Sequence, residues 1–153
     1  MDFERTTDYD LIRRVFTHPA VYRHLGDDFS PAAADFEVNQ HPDIWYVIAR
    51  DAAGVLGVIT FIPQSRILWE MHLCLLPDAW GNRAAEMGRL LYRWVWNNTP
   101  CRRITGAIPA TNRLAIRWAR VSGMEQFGVN PRAFAKGGRL IDLVLMGVSP
   151  QEK

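Results

Sequence analysis

The sequence predicts an α/β or α+β fold built on a mixed sheet. Two observations carry that expectation. The residue pattern changes from helical to strand-like at Ile44, and a later amphipathic stripe needs a sheet to cover it. That stripe is Met87, Leu90, Leu91, Trp94 and Val95, spaced i, i+3, i+4, i+7 and i+8 along Ala84 to Asn97.

The elements follow in order. Asp8 precedes a helical pattern of Leu11, Ile12, Val15 and Phe16 that stops near His18 and Pro19. A second short helix is expected from Pro19 to Leu25, ending at Gly26, and Ala32 to Phe36 could form another turn. Ile44 to Arg50 and Val55 to Ile62 read as a hairpin around the turn Asp51 to Gly54. Pro63-Gln64-Ser65 makes the next turn, and Arg66 to Leu76 is a long strand that Pro77 ends. After the Ala84 to Asn97 helix, Arg103 to Ile108 is a strand. Thr111-Asn112 caps a helix to Ser122 with Gly123 as its stop. Strands over Gln126 to Val129 and Arg139 to Gly147 finish the chain. No repeat or linker interrupts residues 1–153, so a single domain is expected.

Composition narrows the classes. Apolar residues are 48% and charged residues 22% of the 153, which excludes a disordered chain. No apolar run nears the ~20 residues of a membrane helix, and the acidic start Met1 to Arg5 is not a secretory signal. A net charge of +2 argues against a nucleic-acid partner, although Arg113, Arg117 and Arg120 could share one helical flank. Those three could equally meet a phosphate or a salt-bridged surface. Cys74 and Cys101 lack metal-ligand spacing, so no metal is expected, and two reduced thiols fit a cytoplasmic protein.

The segment from Arg66 to Asn97 is where chemistry is expected. A strand that runs through a glycine-containing loop into a helix presents unpartnered backbone N–H groups to an anion. Here the loop is Pro77 to Ala85; Gly81, Ala84 and Ala85 are small, and Arg83 adds a positive charge. Read alone, the loop is better explained as an ordinary strand-to-helix turn, with Gly81 chosen for its dihedral freedom.

The loop resembles the signature Gln/Arg-x-x-Gly-x-Gly/Ala of the GNAT N-acetyltransferase superfamily. Gly81 fits the glycine just inside that signature and Ala85 its final small residue. Trp80 stands in place of Gln or Arg, and Arg83 in place of the central glycine. A second stretch, Asn112-Arg-Leu-Ala115-Ile116-Arg-Trp-Ala119-Arg-Val-Ser-Gly123-Met124, is similar to the family's Asn-x-x-Ala-(Ile/Ser)-x-x-(Tyr/Ala)-x-x-x-Gly-Phe. The flavour is that of the ribosomal-protein and N-terminal acetyltransferase branch.

The resemblance implies a GNAT-type central sheet, mostly antiparallel and flanked by helices on both faces. It implies an acetyl-CoA-dependent N-acyltransferase acting on an unidentified amine in a ternary complex. It places Leu73, Cys74, Leu75, Trp80, Gly81, Asn82, Arg83, Ala84, Ala85 and Asn112 against the coenzyme, and it is compatible with a homodimer. The family's general-acid Tyr corresponds to Ala119, so a coenzyme- or protein-binding module without turnover is the alternative.

Strand alternation puts Glu70, His72 and Cys74 on one face and Trp69, Met71, Leu73 and Leu75 on the other. Glu70 or His72 is the expected base for the acceptor amine; the competing reading is a solvated surface pair. Most tryptophans are expected to fill the core or its rim, with Trp80 beside the coenzyme as the exception.

Overall fold

The computed structural model describes residues 1–152. Seven strands form a single sheet in the order β1-β2-β3-β4-β5-β7-β6. They are β1 (Asp2–Thr6), β2 (Trp45–Asp51), β3 (Gly54–Pro63), β4 (Leu68–Leu75), β5 (Arg103–Pro109), β6 (Glu125–Lys136) and β7 (Arg139–Val148). Among the described residues only the β4–β5 pairing is parallel; the other five are antiparallel. The helices are α1 (Tyr9–Phe16), α2 (Pro19–Leu25), α3 (Asn82–Asn98) and α4 (Arg113–Val121).

Alternation along the strands divides the core into two layers. Val47, Ile59, Phe61, Trp69, Met71, Ile104 and Met146 pack beneath α3 and α4, through Met87, Leu91, Val95 and Ala119. Ile48, Val58 and Cys74 face the opposite way and meet Ile12, Val15 and Val21 of α1 and α2. Three of the five stripe positions of α3, Met87, Leu91 and Val95, are essentially inaccessible, whereas Leu90 and Trp94 are half-buried and Gly88 and Tyr92 complete the buried face. The helices thus cover both faces, as expected.

Several boundaries differ from the sequence reading. A first strand, β1, was absent from it. Phe3 is the only apolar residue in Asp-Phe-Glu-Arg-Thr, and the segment holds the sheet edge by pairing Asp2–Thr6 with Arg50–Tyr46. β6 runs twelve residues rather than the short Gln126 to Val129 piece. Pro131 and the polar residues around it mask it, and an edge strand tolerates them. The register shifts between Asn130 and Phe134, where Arg132 takes a φ of 56° and its N–H donates to Asp142 Oδ1 at 2.9 Å. Helix α3 starts at Asn82, two residues before the expected Ala84, and β4 starts at Leu68 rather than Arg66. Between Asp27 and Asp43 only a 3-10 turn over Ala33–Asp35 forms.

Among the described residues no helix is long and apolar enough to cross a membrane.

Candidate active site

The central geometric fact is where β4 and β5 part. Their parallel pairing covers Leu68–Arg103, Trp69–Ile104 and Glu70–Thr105 and then ends. β4 nevertheless continues to Leu75, held by β3, and β5 to Pro109, held by β7. The two strands therefore diverge and leave a wedge whose β4 wall is Met71 to Leu75.

Backbone parity decides which groups line that wall. Leu76 N–H donates to Leu56 O at 2.9 Å, so the even-numbered β4 amides belong to the β3 ladder. Leu73 and Leu75 are odd, and their N–H groups point toward the wedge. Cys74 is even; its amide is spent on β3 opposite Val58, and its thiol is buried beneath α1, 3.9 Å from Val15 O. Of the three β4 residues expected against the coenzyme, Leu73 and Leu75 turn their N–H groups to the wedge and Cys74 does not. The carbonyl of Leu75 is already taken, because the Trp80 indole N–H donates to it at 3.0 Å. That bond folds the loop back over the end of β4 and leaves the Trp80 ring half-exposed.

The loop then enters α3 through Gly81, whose φ of 91° suits glycine and strains other residues. Three helices begin with a side chain accepting a backbone N–H: Asp8 from Leu11, His18 from Ala20 and Asn112 from Ala115. Helix α3 has none. Its first amides, at Asn82 and Arg83, have no partner within the helix and lie at the positive end of its dipole. Ala84 and Ala85 are buried behind them. Small residues, uncapped amides and a positive φ are the features that an anion cradle needs. The Arg83 guanidinium, expected beside that anion, is instead ion-paired with Asp51 in the β2–β3 turn.

Helix α4 is locked against the start of α3. Trp118 Nε1 donates to Ala84 O at 2.7 Å, and Gly88 leaves room for Trp118 and Ser122. Asn112 serves first as the helix cap through Oδ1, 3.2 Å from Ala115 N, which leaves its side-chain N–H₂ free of that bond. Arg113, Arg117 and Arg120 line a shallow groove with Ile116 and Val121. Arg120 reaches Gln126 of β6, and Trp118, about 100° around the helix from Arg117, faces α3.

At the mouth of the wedge, His72 Nε2 lies 3.1 Å from Glu70 Oε1. The other carboxylate oxygen accepts from Gln64 Nε2 at 3.3 Å. His72 is more than half exposed and Glu70 about one-third. The pair is thus real and solvated, with both carboxylate oxygens occupied. Gln64 was not picked out from sequence; it lies in the β3–β4 turn, and only the antiparallel register brings it to Glu70.

Ala119, at the position that corresponds by resemblance to the family's general-acid tyrosine, is fully buried. Tyr92 is hydrogen-bonded to Ser122 at 2.8 Å in the core, and burial raises its pKa. Burial pushes the Cys74 thiol up to about 12, and burial raises Cys101 to about 11. Both thiols are expected to resist alkylation in the native protein at neutral pH and to react once it unfolds. Their folded pKa values exceed the unfolded value of about 8.5. The stability they contribute is complete below that value and is lost as pH rises through about 11 to about 12. A melting series from pH 8 to pH 12 should therefore fall steadily at its alkaline end; the Cys74→Ala variant should fall less.

Among the described residues no cluster of three His, Cys, Asp or Glu could hold a metal ion.

A sequence model described as "Acetyltransferase (GNAT) domain" matches residues 3–125. No curated protein matches the chain. Among solved structures, spermidine N-acetyltransferase from Vibrio cholerae, in complex with CoA and spermine, superposes with a TM-score of 0.79 at 14% identity, covering 97% of this chain and 94% of that one. Ribosomal-protein-S5-alanine acetyltransferase from Vibrio fischeri gives a TM-score of 0.75 at 12% identity, over 98% and 93% of the two chains. At such identities these likenesses concern the fold.

Proposed function

The chain belongs to the GNAT acetyltransferase family, whose members move an acetyl group from acetyl-CoA to an amine, and from that premise we propose the following division of labour. Leu73 and Leu75 N–H groups face the thioester carbonyl and stabilise the charge that develops on its oxygen. Gly81 and the uncapped amides of Asn82 and Arg83 hold the diphosphate, with Ala84 and Ala85 allowing close approach. Trp80 packs beside the pantetheine arm, and the Asn112 amide donates to it. Arg83 contributes its backbone, since its side chain is engaged by Asp51.

His72 acts as the base. Its Nε2 is held on Glu70, which leaves Nδ1 to take the proton from the acceptor amine. Glu70 orients the imidazole and Gln64 orients Glu70. The observation that carries this reading is the parting of β4 from β5 directly after Glu70–Thr105, which sets the pair at the mouth of the wedge.

A single acyltransferase domain over 1–153 is supported by the continuity of the sheet from Asp2 to Val148. Two free, buried cysteines support a cytoplasmic location.

The reading is tested by thermal shift with acetyl-CoA, coenzyme A and ATP, followed by thiol release across an amine panel. Acetyl-CoA and coenzyme A are expected to raise the Tm, by several degrees at a concentration of ~100 Kd, and ATP to do nothing. No shift with either coenzyme would remove the proposed site. The buried Ala119 favours a second reading, a coenzyme-binding module without turnover. A coenzyme shift without thiol release from any amine would select it.

A further inference from the structure

Helix α3 begins without a capping side chain, yet its first turn is held from outside. Gly81 enters it at a φ of 91°, and no side chain accepts from its first amides. Such a start frays readily, because a glycine precedes it and its leading N–H groups have no partner. Two contacts oppose the fraying. On the α4 side, Trp118 Nε1 donates to Ala84 O at 2.7 Å. On the other side, the Arg83 guanidinium is ion-paired with Asp51 Oδ2. Asp51 opens the β2–β3 turn, where its Oδ1 accepts the Ala53 N–H at 2.9 Å and its backbone pairs with Gly54. Both carboxylate oxygens are therefore engaged, and the side chain is only 19% exposed. Strand β3 of the same hairpin also packs against Pro77–Ala79 at the start of the coenzyme loop.

The form of this anchor matters for an anion. A Ser, Asp or Asn cap would occupy the amides of the first turn with its own oxygen. An ion pair made by the side chain of the second helical residue fixes the same turn and leaves those amides open. We propose that Asp51, acting through Arg83, is a positioning residue of the coenzyme cradle. It holds the first turn of α3 so that the Asn82 and Arg83 amides meet the diphosphate already aligned. Donors ordered in advance bind more tightly than donors that must be ordered on binding. A role for Arg83 as a direct phosphate ligand predicts the opposite response to loss of Asp51, since the freed guanidinium would then strengthen binding. The inference rests on the acyltransferase reading and adds to it a residue from a distant hairpin.

The test compares wild type with Asp51→Asn, Arg83→Met and the double variant. Calorimetry gives the Kd for coenzyme A, and the amine selected by the panel gives KM and kcat with acetyl-CoA. Each single change is expected to weaken coenzyme A by about two- to fivefold, the range of a partly exposed ion pair. The double variant should bind like either single one, because both changes break the same tie. KM for acetyl-CoA should rise in step with Kd, while kcat at saturating acetyl-CoA holds. Amide exchange at Ala84, whose N–H donates to Gly81 O at 3.1 Å, should quicken in all three variants. Arg50→Met breaks the neighbouring pair with Glu4 and controls for a general loss of stability; its coenzyme affinity should match wild type. Tighter binding in Asp51→Asn beside weaker binding in Arg83→Met would make Arg83 a direct phosphate ligand and overturn the proposal. So would losses that multiply in the double variant, single variants that bind as wild type does, or an equal loss in Arg50→Met. Failure of the acyltransferase reading shows differently, as a wild type without thermal shift on adding coenzyme A, which would overturn both.

Discussion

Replacing His72 by alanine is expected to lower kcat by about 10²- to 10⁴-fold, the range associated with a positioned proton acceptor. Coenzyme affinity should hardly change, because the cradle at Gly81 and the donors at Leu73 and Leu75 do not involve the imidazole. Glu70→Gln should cost less. It keeps the shape and removes the charge facing Nε2, so imidazole orientation weakens while Nδ1 remains able to accept a proton. Steady-state kinetics with a saturating amine, beside calorimetry with coenzyme A, separate the two effects. Turnover intact in both variants would leave His72 and Glu70 as the solvated surface pair that their exposure also permits.

A second large effect is expected at Gly57. It lies on β3 opposite Leu75, and a Cβ added there would run into the Cys74 carbonyl oxygen and stand 2.8 Å from a Leu75 methyl. Backbone cannot step aside as a flexible side chain can, so Gly57→Ala must push β3 and β4 apart. Overpacking of this kind typically costs about 1–3 kcal/mol, which for a domain of this size lowers Tm by roughly 2–12 °C. The displaced stretch carries the Leu73 and Leu75 amides, so coenzyme affinity should fall together with Tm. A thermal melt and a calorimetric titration on the one variant check both. Unchanged coenzyme affinity at lowered Tm would separate the β4 wall from binding.

Much of this architecture can be read directly from residue patterns. Asp8 and Asn112 cap the helices that they precede, because a short polar side chain there can accept an orphan N–H. Gly123 ends α4 with a φ of 109°. The alternation along β4 and the Met87, Leu91 and Val95 positions of the α3 stripe match their burial, because packing against one side imposes periods of 2 and 3.6. β1 and most of β6 were illegible for the complementary reason. They are edge strands secured chiefly by backbone hydrogen bonds, and backbone bonds leave no apolar signature in the side chains.

The candidate site divides along the same line. The small residues of the Pro77–Ala85 loop, and the placing of Glu70 and His72 together on one face, were local properties that the sequence determined by itself. Which β4 amides open into the wedge depended on the register with β3, because a shift by one residue exchanges every inward and outward group. Register likewise delivered Gln64 to Glu70. Arg83 illustrates the limit well: its charge suggested an anion ligand, yet its partner is Asp51, from a turn thirty-two positions earlier. Hydrogen bonds from Gly137 N–H to Asp28 and from Lys136 to Gly26 O, each spanning over a hundred positions, are the extreme case. Local pattern determined the strand, loop and helix. Tertiary structure decided the parting of β4 from β5, the orientation of the β4 amides and the tie between the β6–β7 turn and the end of α2. Each of these depends on which distant strand supplies a hydrogen-bonding partner, and no period along the chain encodes that choice.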